Sequence, residues 1–259
     1  MKLTRLILLG ICGYLFGYGL VRCAVNNAWA DTDLREQVHL NSNNTLAFRG
    51  PITGESVVAH QLQLADLVET RGNKTYPIYI VMDSPGGEVD SGIQFIEFAK
   101  TIPNLRTITI FAASMASGIV EGLPGIRLIT GNGFLMFHRA TGEFSGQFEM
   151  GEVEHRLALA KEVILELEKQ NAARLKISIE DYKNKIKDEY WLLSKKAVLE
   201  KAADKVIDIV CSKELIDSRT VLKIDSIFGT AKYEFSNCPL FRTPLPTKKK
   251  IVAFVGLGE

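Results

Sequence analysis

The run Pro77-Ile78-Tyr79-Ile80-Val81-Met82 admits few folds. It is apolar throughout, without the alternation of a half-exposed strand, so it reads as a strand buried on both faces. It stops at Asp83-Ser84-Pro85-Gly86-Gly87 and gives way to apolar positions at helical spacing, Val89, Ile93, Ile96 and Phe98. A buried strand that turns at once into a helix is the unit from which layered α/β sheets are built. Two further units follow. Residues 106–112 (Arg-Thr-Ile-Thr-Ile-Phe-Ala) are β-branched and feed the small residues Ala112 to Gly118, a second strand leading to a short helix with Ser114 at its N-terminus. Residues 126–130 and 134–137 make two more strand-like runs around Gly131-Asn132-Gly133, and His138 directly follows the second.

In an open α/β sheet, side chains and helix N-termini of successive units converge beyond the carboxyl ends of the strands. The three segments that begin there, 84–92, 111–118 and 134–142, bring a hydroxyl, an imidazole and glycine-framed amides. A serine hydroxyl is a weak nucleophile at neutral pH and needs a base to take its proton, and an imidazole titrates in the right range. Ser114 and His138 fit those two parts. Gly86 and Gly87 allow close backbone approach, and the Met115 amide opens the helix after Ser114, so both can stabilise an oxyanion. Ser117 reads as a packing or capping residue, and Asp83 and the Glu88 side chain as turn and helix-start residues.

Ser84-Pro85-Gly86-Gly87, Ala112-Ala113-Ser114-Met115 and Met136-Phe137-His138, in this order and each after a strand, resemble the Clp protease proteolytic subunit family and, more distantly, the signal peptide peptidases, over about residues 45–210. The resemblance implies an α/β, ClpP/crotonase-like fold of stacked βαβ units with a long handle helix. It implies Ser114 as acylated nucleophile, His138 as general base, and Gly86 and Met115 as oxyanion hole. Gly87 and the segment after it, from Glu88, are implied to hold an extended peptide substrate as an added strand. Gly146-Gln147 and the helical stretch 148–176 resemble the handle, which implies a homo-oligomer.

The third catalytic member departs from the family pattern. Lys185 stands where an aspartate is expected, and a lysine cannot orient an imidazolium. Asp188, directly before the strand-like Tyr190-Trp191-Leu192-Leu193, is the favoured substitute and Asp181 the alternative. A Ser–Lys mechanism with Lys161 or Lys169 would leave His138 without a part. Two other classes stay open: a crotonase-like acyl-CoA enzyme, which needs the oxyanion hole but no Ser–His pair, and a catalytically impaired scaffold.

Residues 1–30 carry Lys2 and Arg5, an apolar stretch from Leu6 to Val21, and Ala28-Trp29-Ala30 before Asp31, the layout of a cleaved secretory signal. The stretch falls short of the about 20 residues that span a bilayer, an uncleaved inner-membrane anchor being the alternative. Export places the protein in the periplasm or outside the cell, away from ATP and from an AAA+ ATPase partner. The formal net charge is +1, and losing the leader makes the rest slightly acidic, which excludes a nucleic-acid footprint. No CxxC or His/Cys cluster points to a metal, and no cofactor is expected. Cys211 and Cys238 remain, either paired or as two free thiols. His39, His60 and His155 read as surface residues.

The remaining expectations are strands at 46–52 and 204–210 and helices at 55–69, with Val58, Leu62 and Leu64 inward, and at 194–203. The peptidase domain is placed at 31–211. The extension 212–259 has no family counterpart, with an edge strand within Phe228 to Tyr233 and a loop from Thr243 to Lys250.

Overall fold

Residues 35–71, 75–142, 149, 151–226 and 229–244 are described by a computed structural model, with backbone alone for 222–232. The expected leader at 1–30, Gly146-Gln147, Phe228 and residues 245–250 lie outside them. Apart from the first residue of β1, the elements belong to the unit Gln37–Glu259. A mostly parallel sheet carries β1 (Glu36–Leu40), β2 (Thr45–Arg49), β3 (Ile78–Ser84), β4 (Leu105–Ala113), β5 (Arg127–Phe137), β6 (Tyr190–Leu193) and β7 (Lys205–Cys211). The strand order is β1-β7-β5-β4-β3-β2, with β6 antiparallel on β5. The helices are α1 (Gly54–Thr70), α2 (Val89–Ala99), α3 (Met115–Gly122), α4 (Glu152–Leu175), α5 (Ile179–Lys185) and α6 (Ser194–Leu199). The fold is α/β, as the resemblance implies.

The unbroken apolar run of β3 is explained by two cores. Ile78, Ile80 and Met82 point into the helix-covered core with Phe48, Phe95, Met115 and Ile119, while Tyr79 and Val81 point into a second core with Val38, Leu40, Ile108, Ile110 and Leu128. In β4 the alternation breaks at Ile110, where the register slips against both neighbours. Ile108 and Ile110 face the second core, yet Ala112 faces the first. An extra residue flips everything after it to the other face, and that re-aims the strand end that carries Ser114. The slip also joins the two runs 126–130 and 134–137 into one strand, because Thr130 to Gly133 bulge opposite the single residue Ile110.

α1 starts at a capping box, Thr53 and Ser56 each bonding the other's backbone amide. It buries Val57, Leu64 and Leu67: Leu64 is inward as expected, whereas Val58 and Leu62 are 48% and 64% exposed. α4 buries Asn171, Ala172 and Leu175 near its C-terminus, and leaves Val153, Leu157 and Leu159 exposed. α6 stops at Leu199, four residues before the expected end.

Beyond Cys211 the chain forms α7 (Lys213–Asp217) and a hairpin of β8 (Arg219–Ser226) and β9 (Gly229–Ser236). The strand expected near residue 230 therefore pairs with β8, not with the main sheet. Leu215 and Cys238 fill the second core, and Cys211 and Cys238 form a disulfide. Arg49, at the end of β2, donates to the carbonyls of Ser236 and Cys238 at 2.9 and 2.7 Å. Arg242 grips the Asp83 carboxylate with two bonds of 2.9 and 2.5 Å.

Candidate active site

Ser114 links β4 to α3 with φ 55° and ψ −125°, a left-handed φ that costs a non-glycine residue about 1–3 kcal/mol. The surroundings hold it there. Its N–H donates to the Met136 carbonyl at 2.9 Å, and its own carbonyl accepts from Gly118 N–H at 3.2 Å. Buried Ser117 reaches the carbonyls of Ala112 and Met136, both at 2.8 Å, stitching the ends of β4 and β5 together as a packing residue. Turned off the helix axis, the Ser114 hydroxyl makes no capping bond. It lies instead 2.7 Å from Nε2 of His138. The parallel register that sets Ala113 beside Met136 is what brings residues 114 and 138 together.

Gly86 has φ +93°, and a Cβ on it would sit 2.5 Å from Ala113 O, 2.7 Å from Ser114 Cβ and 3.0 Å from Met115 N. Only glycine lets the turn lie on the serine elbow, which puts the Gly86 and Met115 backbones side by side. The Gly86 N–H donates to the buried Ser84 hydroxyl at 3.1 Å. Gly87 bridges Ile52 in parallel: Ile52 N–H donates to Gly86 O and Glu88 N–H to Ile52 O, both at 2.9 Å. The Glu88 carboxylate accepts from the Gly54 amide at 3.0 Å and the Ser91 hydroxyl at 2.6 Å, bracing the starts of α1 and α2.

Among the described residues neither proposed acid forms a hydrogen bond with the imidazole. Ser178 caps α5 by accepting from the Asp181 amide at 3.0 Å, and its hydroxyl donates to the Asp181 carboxylate at 2.8 Å; Asp181 is exposed, as is Asp188 in the turn before β6. Lys185 pairs with Glu200 at 3.0 Å and sits over the Tyr190 ring. Lys161 and Lys169 are exposed on α4, with Lys169 bonded to Glu166, whereas the imidazole of His138 meets the Ser114 hydroxyl. Among the described residues, Nδ1 of His138 has no hydrogen-bond partner.

Sequence reasoning missed two features. A cavity of about 40 Å³, room for a water or two, opens beside Ser114 and His138 and is also lined by Glu168, Asn171 and Tyr182. Asn171 Nδ2 donates to Tyr182 Oη at 3.0 Å, and burial keeps that phenol protonated well above its ordinary range. The hint was a polar residue on the one buried face of α4. The second feature lies at the far end of the serine helix, where Arg127 bonds Glu121 and, at 2.7 Å, Asp204. Burial pushes the Glu121 carboxyl up to about 8, with Arg127 opposing the shift. His60, expected at the surface, is half-buried against Phe48, ring centroids 4.0 Å apart, and that burial lowers its imidazole pKa.

The profile of the Clp protease family matches residues 35–210. Proteolytic subunit 1 of the ATP-dependent Clp protease from Chlamydia trachomatis serovar D is 33% identical over 113 residues, 42% of this chain and 58% of that protein, and the serovar A protein matches equally. The matched part thus spans little more than half the length of these relatives. The family match covers most of the chain, each of the three motif segments falls inside it, and the sheet has the expected order of units: this chain belongs to the Clp protease family.

Proposed function

We propose that the protein is an exported serine endopeptidase that cleaves peptides or loosened proteins through an acyl-enzyme, without ATP. The contact of 2.7 Å between the Ser114 hydroxyl and the imidazole of His138 carries this reading. Nε2 takes the hydroxyl proton as Oγ attacks the scissile carbonyl, and returns it to the leaving amine; water then repeats the cycle to release the acyl group. The amides of Gly86 and Met115 would stabilise the oxyanion, that of Gly86 by leaving Ser84. Because the bridge to Ile52 uses Gly86 O and Glu88 N, the N–H and C=O of Gly87 point the other way, toward an added substrate strand.

The leader-like start and the Cys211–Cys238 disulfide favour an oxidising compartment. The exposed apolar side chains of α4 suit a homo-oligomer contact. Among the described residues no helix is long and apolar enough to cross a membrane. A fluorophosphonate probe should label the wild type and not Ser114→Ala; equal labelling of both would reject the nucleophile, and no labelling of either would favour a scaffold. The exported protein should begin at Asp31 by N-terminal sequencing, and an intact Met1 would favour the anchored alternative.

A further inference from the structure

An imidazole has two nitrogens, and the contact with Ser114 accounts for one. For Nε2 to accept the hydroxyl proton, Nδ1 must carry the ring's own proton. That N–H has no acceptor among the described residues. A complementary lack belongs to Asn171, which lines the same cavity and is 5% exposed: its Oδ1 is buried without a donor. The buried Oδ1 carries the penalty of an unmade bond, and the imidazole N–H is the donor on this cavity that would relieve it. The cavity has room for the single water that would bridge them if the bond is not direct.

The orientation of the amide is fixed from its other end. Nδ2 donates to Tyr182 Oη, so Oδ1 is the atom turned away from the phenol. Tyr182 is itself packed edge-on to Phe137, the residue before His138, with ring centroids 6.1 Å apart. Glu168 lines the cavity one turn earlier on α4, but its carboxylate has a counter-charge in Lys183 at 3.8 Å. Glu168 and Tyr182 are thus the titratable groups across the cavity from the imidazole, with Lys183 behind the first.

We infer that Asn171 is the positioning residue of this site: its Oδ1 accepts the Nδ1 proton of His138, directly or through one water, and Tyr182 holds the amide in that pose. This rests on the Ser114–His138 reading. A neutral amide fixes the tautomer of the ring without placing a negative charge beside it. The pH dependence therefore separates an amide from a carboxylate.

The test is the rate of fluorophosphonate labelling of the full oxidised chain from pH 5 to 9 (roughly the imidazole range), with the thermal midpoint of each variant. Asn171→Ala should label about tenfold slower, the worth of one hydrogen bond. Tyr182→Phe, which keeps the ring and frees the amide, should slow labelling by a smaller factor. Asn171→Asp should move the acid limb of the profile up by about one unit or more, since an adjacent anion favours the imidazolium. Should Asn171→Ala fail to fold, that shift decides alone. An unmoved limb in Asn171→Asp, or a wild-type rate in a folded Asn171→Ala, overturns the inference, as does loss of labelling confined to Asp188→Ala. Ser114→Ala separates the two levels: if it is silent and the limb is unmoved, only the positioning role falls; if it labels like wild type, the hydrolase reading falls too.

Discussion

Ser114 is strained so that its hydroxyl leaves the helix it precedes, and the residues around it are chosen by that strain. Gly86 is the most exacting. Its missing side chain leaves room for the serine elbow, and the atoms a methyl would strike are backbone of Ala113 and Met115 and the Cβ of Ser114, none of which is the far end of a flexible side chain. Gly86→Ala should therefore cut labelling by about a hundredfold or more, the loss expected when an oxyanion donor is displaced, while the protein stays folded by circular dichroism. Glu121 makes a different prediction. Its folded pKa, about 8, is above the ordinary 4.5, so the native state binds the proton more tightly than the unfolded chain does. The stability this brings is complete below about pH 4.5 and is lost as pH rises through 8. Urea midpoints should fall across that window, and Glu121→Gln should flatten the fall; an equal slope in both proteins would show that Glu121 ionises normally.

Among the elements, those that were legible in the sequence are the ones whose pattern has a local cause. β3 could be read because its apolar run ends at turn residues, and β6 because Tyr190 to Leu193 is a run of strand formers; the strand-turn-helix order then put Ser114 and His138 at neighbouring strand ends. The slip at Ile110 could not be read, since it is settled by pairing with β3 and β5 and not by any residue in β4. The inward valine of α1 was misassigned for a similar reason: Val57 and Val58 are adjacent and identical, and only the sheet beneath decides which is inside. The partner of His138 was sought near Lys185, following the family, whereas the buried polar group in its cavity comes from α4. Lys185 itself belongs to a brace between α5 and Glu200, with both side chains about a third exposed at 32% and 34%. Lys185→Met should thus cost under about 1 kcal/mol in urea unfolding and leave the labelling rate unchanged; a tenfold slowing would bring the lysine back into the chemistry.

For the molecule as a whole, the sheet is covered on both faces, and the second cover comes from the part beyond residue 210, where the family match ends. α7 and the residues around Cys238 close the core formed by Val38, Leu40, Val81, Ile108 and Ile207, and the disulfide spans 27 residues to hold them there. Closing a loop of that size stabilises by about 3 kcal/mol through the unfolded chain, so Cys211→Ser should lower the unfolding free energy by about that amount and open residues 212–244 to proteolysis. A variant as resistant as wild type would mean that packing alone suffices. The covered face also matters to whoever produces this protein. A boundary drawn at 210, where the family match ends, would strip the cover and present several strands of bare isoleucine, leucine and valine to water. Such a trimmed chain would precipitate on expression however intact its serine and histidine, and a yield experiment designed on homology alone would misreport the protein as insoluble.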